Sequence, residues 1–341
     1  MPRRIRLILD ICIFAGLATG AIISSLALLG AFVPILDVIN HFQLVIMTLG
    51  LIALAMSFVW PSTLLALKRF GRWLVLFILC CSAIILLPEY FHRQSFFQAD
   101  AALSESRSVT PLKLMSFNIY MGTRDKQALA DTILSANPDV AALQEYAPKR
   151  FRNQPDLKKA YPFQARCQSW RICTLAIYSK HKLTDIKSYN IGTQAQRNPM
   201  HGKLLAATVH PAGARAFRLY SVHLAWPLPL AEKQGQLATL SRIIDEERKQ
   251  WTLQVIAGDF NSTGWAFRVD AFAEQAGLER RDHFVPTFPS PNSVIKHLRL
   301  PAFLSLDHIL TSATIESTSV ERFSAPIGDH WPIMTTLYMP H

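Results

Sequence analysis

Three long apolar runs near the N-terminus constrain this chain more than any other feature. Ile11–Leu36 is apolar apart from small and hydroxyl residues, and Phe42–Trp60 and Trp73–Leu87 repeat the pattern. A helix that crosses a bilayer needs about 20 apolar residues at roughly 1.5 Å each. The first two runs meet that length. The third has 15 residues and needs Pro88–Phe91 to complete a crossing. A backbone in lipid must satisfy its own hydrogen bonds, so such runs fold as helices. Arg3, Arg4 and Arg6 precede the first run, as they would in a secretory signal peptide. That run is too long for a signal-peptide core, and two more follow it.

Basic residues set the expected orientation. Arg3, Arg4 and Arg6 lie before the first run and Lys68, Arg69 and Arg72 between the second and third, while the connection Asp37–His41 has no Lys or Arg. Both basic clusters belong on the cytoplasmic side. Three crossings then place everything after Pro88 on the opposite face, which in a bacterium is the periplasm. The expected localisation is the inner membrane, as a multi-pass protein, with the lipid bilayer as its first partner.

The expected domains are a membrane region over 1–87, a linker over 88–111 with no sustained period, and a folded domain over 112–341. Residues 1–87 carry six basic and two acidic side chains, so the remainder keeps +7 of the chain's +11. A basic folded part suits an anionic substrate or an anionic lipid surface. Cys12, Cys80 and Cys81 lie inside the apolar segments. Cys167 and Cys173 flank a short loop between two expected strands, and an oxidising compartment favours a bridge between them.

From Leu112 onward strands and helices alternate. Strands are expected at Leu112–Ile119, Val140–Leu143, Leu175–Tyr178, Leu204–Val209, Phe217–Val222, Leu253–Ile256, Ser305–Leu310 and Ile333–Tyr338. Helices are expected at Lys126–Ala136, Ala231–Gln250 and Phe267–Ala276. Many strands and few helices argue against a simple βαβ alternation and for an α/β fold of two packed sheets with helices outside.

Six short segments in this domain place polar residues beside an apolar run: LMSFNI, VAALQE, LYSVHL, VIAGDFN, SLDHIL and GDHWP. Strand ends are where an α/β scaffold presents its chemistry. In GDFN, Asp259 and Asn261 are expected to point the same way, because strand side chains alternate with period two. The same residues also suit an Asx turn. Glu145 ends a buried strand, where a carboxylate needs water, a hydrogen bond or a metal. Asp307 is placed to fix a His ring by accepting from it, and Asp329-His330 offers one metal ligand and one proton carrier. Asn118 and His223 close two further strands.

Taken together, FN, QE, a strand ending in His, GDFN, DHI and GDHWP resemble the endonuclease/exonuclease/phosphatase superfamily in order and approximate spacing, over about Leu112–Pro340. The resemblance implies a four-layer α/β sandwich and a hydrolase of phosphate esters that uses Mg²⁺ or Mn²⁺. It implies that Glu145 binds the metal with Asn118 and Asp329 beside it. Asp259 and Asn261 would then orient the attacking water and the phosphate, His330 with Asp307 would do acid/base work, and His223 would contact the phosphate. The substrate class is a phosphodiester or phosphomonoester of nucleic acid, phospholipid headgroup or inositol-phosphate type. Some nuclease members carry an Asp two residues after the first Asn. Here that position is Tyr120, which weakens the case for a second metal, and no base-stacking insertion is evident. A non-catalytic binding protein on the same fold would be favoured by loss of Glu145, Asp259 or His330, and all three are present.

Overall fold

The computed structural model describes residues 2–60, 62, 64–103, 109–151, 153–167, 173–193 and 198–341. They divide into two units, Met1–Phe91 with Trp265–Arg268, and His92–Gly264 with Val269–His341.

In the first unit α1 (Arg3–Leu29) stops at Gly30, a 3₁₀ turn spans Leu36–Phe42, and α2 (Gln43–Val59) follows. The first helix thus ends earlier than the apolar run, because Gly30 and Pro34 interrupt it. The third helix, α3 (Leu65–Leu103), is much longer than expected and carries Pro88 inside it. Residues 88–103 are therefore helical rather than an irregular linker. Loss of the apolar period marks where such a helix stops suiting lipid, not where its backbone ends. Of the rest of that linker, residues 104–108 lie outside the described residues, and Val109–Pro111 already belong to the first strand, Val109–Asn118. Three helices, Arg3–Leu29, Leu36–Val59 and Leu65–Arg93, are long and apolar enough to cross a membrane. A chain of polar side chains is paired within this unit: Ser82 donates to Gln43, Gln43 to Asn40, and Asn40 to Asp37.

The second unit is a sandwich of two mixed sheets. One contains β1 (Val109–Asn118), β2 (Val140–Gln144), β3 (Phe163–Arg166), β4 (Ala176–Ser179), β11 (Glu316–Ser317), β12 (Glu321–Arg322) and β13 (Ile333–Pro340), in the order β11-β13-β1-β2-β4-β3 with β12 on β13. The other contains β5 (Lys182–Asn190), β6 (Lys203–His210), β7 (Phe217–His223), β8 (Gln254–Asp259), β9 (Glu279–Arg280) and β10 (Asp307–Thr311), in the order β5-β6-β7-β8-β10-β9. The helices are α4 (Lys126–Ala136), two short pieces, α5 (Pro148–Phe151) and α6 (Pro155–Ala160), then α7 (Leu230–Arg248) and α8 (Phe267–Gln275).

Period-two alternation sorts the strands into layers. Leu112, Leu114, Val140, Ala142, Leu219, Val255, Ala257 and Ile309 face inward and form the core between the sheets. Met115, Phe117, Ala141 and Leu143 face outward and pack with Leu129 and Ile133 of α4. Tyr220, Val222 and Ile256 face outward from the other sheet onto Leu240, Ile243 and Ile244 of α7 and Phe272 of α8. Helix, sheet, sheet, helix is the four-layer α/β sandwich that the sequence implies. Cys167 and Cys173 are disulfide-bonded, with Cα atoms 5.8 Å apart, beside the antiparallel pair β3–β4.

Candidate active site

Following the inward-facing positions toward one end of the sandwich, the core changes from apolar to polar. Leu112 and Leu114 give way to Ser116 and Asn118, Ala142 to Gln144, Leu219 to Ser221 and His223, and Ala257 to Asp259. Gln144 forms a layer across the sandwich, donating to Ser221 Oγ (3.3 Å) and accepting from Ser116 Oγ (3.5 Å). Beyond that layer lie the candidate residues. Strand pairing sets His223 opposite Asp259 and Asp307 opposite Asp259, so three neighbouring strands present them side by side.

The two sheets meet at Asn118. Its Nδ2 donates to Asp259 Oδ2 (2.9 Å) and Glu145 Oε1 (3.2 Å), while its Oδ1 accepts from Tyr120 N (3.0 Å). That backbone bond fixes the amide so that its nitrogen faces the two carboxylates. Glu145 also accepts from Met121 N at 2.7 Å. Tyr120 and Glu145 both sit at positive φ, 63° and 56°. Non-glycine residues rarely adopt that region, and they cluster where a site is built.

Asn261 departs from expectation. Strand β8 ends at Asp259, so alternation does not place Asn261. A turn does: Asn261 has φ 48°, its N–H donates to Asp259 Oδ1 (2.7 Å), and its Nδ2 donates to Leu224 O (2.9 Å). The Asx-turn chemistry of GDFN and its position beside Asp259 are the same feature. Gly258 is required just before it, because a Cβ there would lie 2.1 Å from Val222 O.

His330 Nδ1 lies 2.7 Å from Asp307 Oδ2, and its Nε2 lies 3.9 Å from Asp259 Oδ2. Burial alone would lower the pKa of this ring. The surrounding carboxylates of Asp307, Asp259 and Asp329 outweigh burial and hold it at about 10. His223 Nε2 is 3.7 Å from the same Asp259 oxygen, yet burial keeps its pKa below the usual histidine value. Two histidines facing one carboxylate thus differ in charge. Burial also raises Asp259, and it pushes Asp329 up to about 6, where His330 pulls it down while Glu145 and Asp259 repel it.

All eight expected residues, Asn118, Glu145, His223, Asp259, Asn261, Asp307, Asp329 and His330, belong to this one cluster, linked by the bonds and charge interactions above. Asp307 Oδ1, Asp329 Oδ1 and His223 Nδ1 are buried atoms with no hydrogen-bond partner among the described residues. Unpartnered buried carboxylate oxygens next to mutually repelling carboxylates are donors suited to a hard divalent cation. Ligand atoms of Asp259, Asp307 and His330 also lie within 4.8 Å of one another. The Asp307–His330 bond already occupies one atom of each, so this trio reads more readily as a proton-holding group than as a metal nest.

The family model of the Endonuclease/Exonuclease/phosphatase family matches residues 115–330. The chain belongs to this family. Its members are hydrolases acting on phosphate esters, and so is this chain. A search of curated proteins gave no match. Several solved structures share the fold. A family protein from Bacteroides thetaiotaomicron is 15% identical with TM-score 0.53, covering 68% of this chain and 98% of its own. A mannosyl-6-phosphatase from the same organism is 16% identical with TM-score 0.51, covering 66% and 99%. Sphingomyelinase C from Streptomyces griseocarneus is 14% identical with TM-score 0.51, covering 67% and 99%.

Sequence reasoning missed residues that hold the site from outside. Lys233 of α7 is buried and donates to Ala225 O (3.0 Å) and to Phe260 O, tying together the segments that follow β7 and β8. Burial lowers its pKa to about 7, against the pull of Asp259. His201 stacks edge-on to His223 with ring centroids 4.6 Å apart, and burial drops its pKa to about 3. Ser290 donates from its N to Asp329 O (2.8 Å) and from Oγ to Gly328 O (2.6 Å). A polar residue on the apolar stripe of α7 was a readable signal for Lys233. His201 and Ser290 lie in loops and carried none.

Proposed function

We propose that this chain is a membrane-tethered, divalent-metal-dependent phosphoesterase that hydrolyses a phosphodiester or phosphomonoester by in-line attack of water. The observation that carries the reading is the convergence of side chains from both sheets on one cluster in which carboxylates outnumber cations. Glu145 and Asp329, beside Asn118, would hold Mg²⁺ or Mn²⁺. When bound, the ion supplies positive charge for the phosphoryl oxygens.

The chain's own residues do the rest. Asn118 holds Glu145 and Asp259 in register through its amide nitrogen. Asp259, whose raised pKa makes it a better proton acceptor than an ordinary carboxylate, takes the proton of the attacking water, which Asn261 orients. His330 stays protonated at neutral pH because Asp307 fixes its Nδ1, and it presents Nε2–H to the leaving oxygen or to the charge growing on phosphorus-bound oxygens. His223, neutral, is a hydrogen-bonding contact for the phosphate.

The Lys/Arg distribution supports anchoring in an inner membrane with the catalytic domain on the periplasmic side. Nucleic acid, phospholipid and inositol phosphate remain the substrate classes consistent with the site. The test is hydrolysis by the full chain of DNA, RNA, phospholipids, inositol phosphates and bis(p-nitrophenyl) phosphate. Activity should disappear with a chelator and return with Mg²⁺ or Mn²⁺. Absence of metal-dependent hydrolysis across the panel would overturn the reading.

A further inference from the structure

Two loops rise from the site and present large apolar side chains to solvent. The first follows β7: Trp226 and Leu228 come three and five residues after His223. The second joins Thr287 to Leu304 and carries Val294, Leu298 and Leu300. These five side chains are 45–65% exposed. Exposed apolar groups scattered singly need no explanation, but five on two loops around one site do.

The second loop is pinned to the catalytic cluster at its base. Phe288 packs against His330 with ring centroids 5.2 Å apart, Ser290 bonds Asp329 O, and Trp331 N donates to Thr287 O. Its outer part is basic as well as apolar. Lys296, His297 and Arg299 alternate with Leu298 and Leu300, all exposed, and no Asp or Glu occurs between Asp282 and Asp307. A cavity of about 290 Å³ opens within it, lined by Pro291, Ile295, Lys296, Arg299 and Leu300 among others. Apolar side chains interleaved with cations match the headgroup region of an anionic bilayer, where rings and aliphatic chains enter the interface and Lys and Arg meet phosphates. Nucleic acid would use the cations but leave Val294, Leu298 and Leu300 without a role.

We propose that Trp226, Leu228 and the Val294–Leu300 loop form a docking rim for an anionic lipid surface, so that the site takes a phosphate ester carried on a membrane lipid. This deepens the phosphoesterase reading and rests on it. Hydrolysis of soluble bis(p-nitrophenyl) phosphate tests that reading separately, since no rim residue belongs to the catalytic cluster.

The experiment uses the full chain in lipid nanodiscs, with Cys12, Cys80 and Cys81 replaced by Ala and an environment-sensitive fluorophore on Leu298→Cys. In discs of phosphatidylglycerol and phosphatidylcholine the emission moves to shorter wavelength, and brominated lipid quenches it. In pure phosphatidylcholine both effects are weaker. Lys296→Gln and Arg299→Gln each reduce the docked population in anionic discs about fivefold, while soluble-diester hydrolysis is unchanged. A label that stays water-exposed in both discs overturns the proposal, as does quenching that ignores lipid charge. A label that ignores anionic discs but responds to single-stranded DNA also overturns it. Docking without hydrolysis of any ester would instead sink the catalytic reading and leave the surface standing.

Discussion

At His330 the balance of charges decides what one side chain can do. An imidazole buried without partners would be neutral, and here Asp307 and its neighbours keep it cationic. Asp307→Asn should preserve the hydrogen bond but remove the anion, lowering kcat about 10–100-fold with KM little changed; steady-state kinetics on the best substrate check this. Gly328, just before Asp329 and His330, has φ 80°, and a Cβ there would lie 2.7 Å from the Phe117 ring and 3.1 Å from Asn118 O. Gly328→Ala should therefore destabilise the domain by about 1–2 kcal/mol and impair activity together, as read from denaturant midpoints and kcat/KM. A variant with wild-type stability and rate would show that this turn does not position the pair. The eight cluster residues were legible in the sequence because each stands in or beside a short apolar run. The bonds that orient them were not. Nothing in the sequence shows that Tyr120 N–H fixes the amide of Asn118, or that Asn261 is placed by a turn rather than by its strand.

Between elements, β7 and α7 are joined by the fully buried side chain of Arg218. It pairs with Glu247 at 2.5 Å and donates to Asp185 O (2.6 Å), while Tyr189 and Tyr220 also donate to Glu247. Burial would raise the Glu247 pKa, but the Arg218 hydrogen bond and charge hold it below the usual carboxylate range. A depressed carboxylate stabilises the fold above its unfolded value of about 4.3, and that contribution fades as pH falls through the folded value. Glu247→Gln should cost about 3 kcal/mol at neutral pH, because it leaves Arg218 short of its partner. The gap from wild type should narrow below about pH 4, in denaturant titrations run across pH. A gap that is constant with pH would contradict the pairing. At this scale α4, α7, α8 and the central strands were readable from apolar period. The edge strand β5 was not, since its side chains are exposed or half-buried and its sequence KLTDIKSYN carries no apolar run. The short pieces α5 and α6 and the two-residue strands exist through tertiary pairing, which local pattern does not encode.

For the molecule as a whole, three helices long and apolar enough to cross a membrane precede a basic remainder, and the proposed orientation puts the catalytic domain in the periplasm. A reporter that works only in the periplasm should be active when fused after His341. A reporter that works only in the cytoplasm and is active there would overturn the proposed orientation. The same division was plain from composition, although α3 carries its helix well past the lipid-suited segment. In the proposed function one cluster performs two separable tasks, holding a cation through Glu145 and Asp329 and managing a proton through His330. The direct measurement is hydrolysis of one substrate by Glu145→Gln and His330→Ala across a Mg²⁺ titration. Glu145→Gln should regain much of its rate at high Mg²⁺, because the amide keeps an oxygen but loses the charge a hard cation prefers. His330→Ala should stay about 10²–10⁴-fold slow at every Mg²⁺ concentration. Full activity in both variants, or an equal rescue of both by Mg²⁺, would contradict the account.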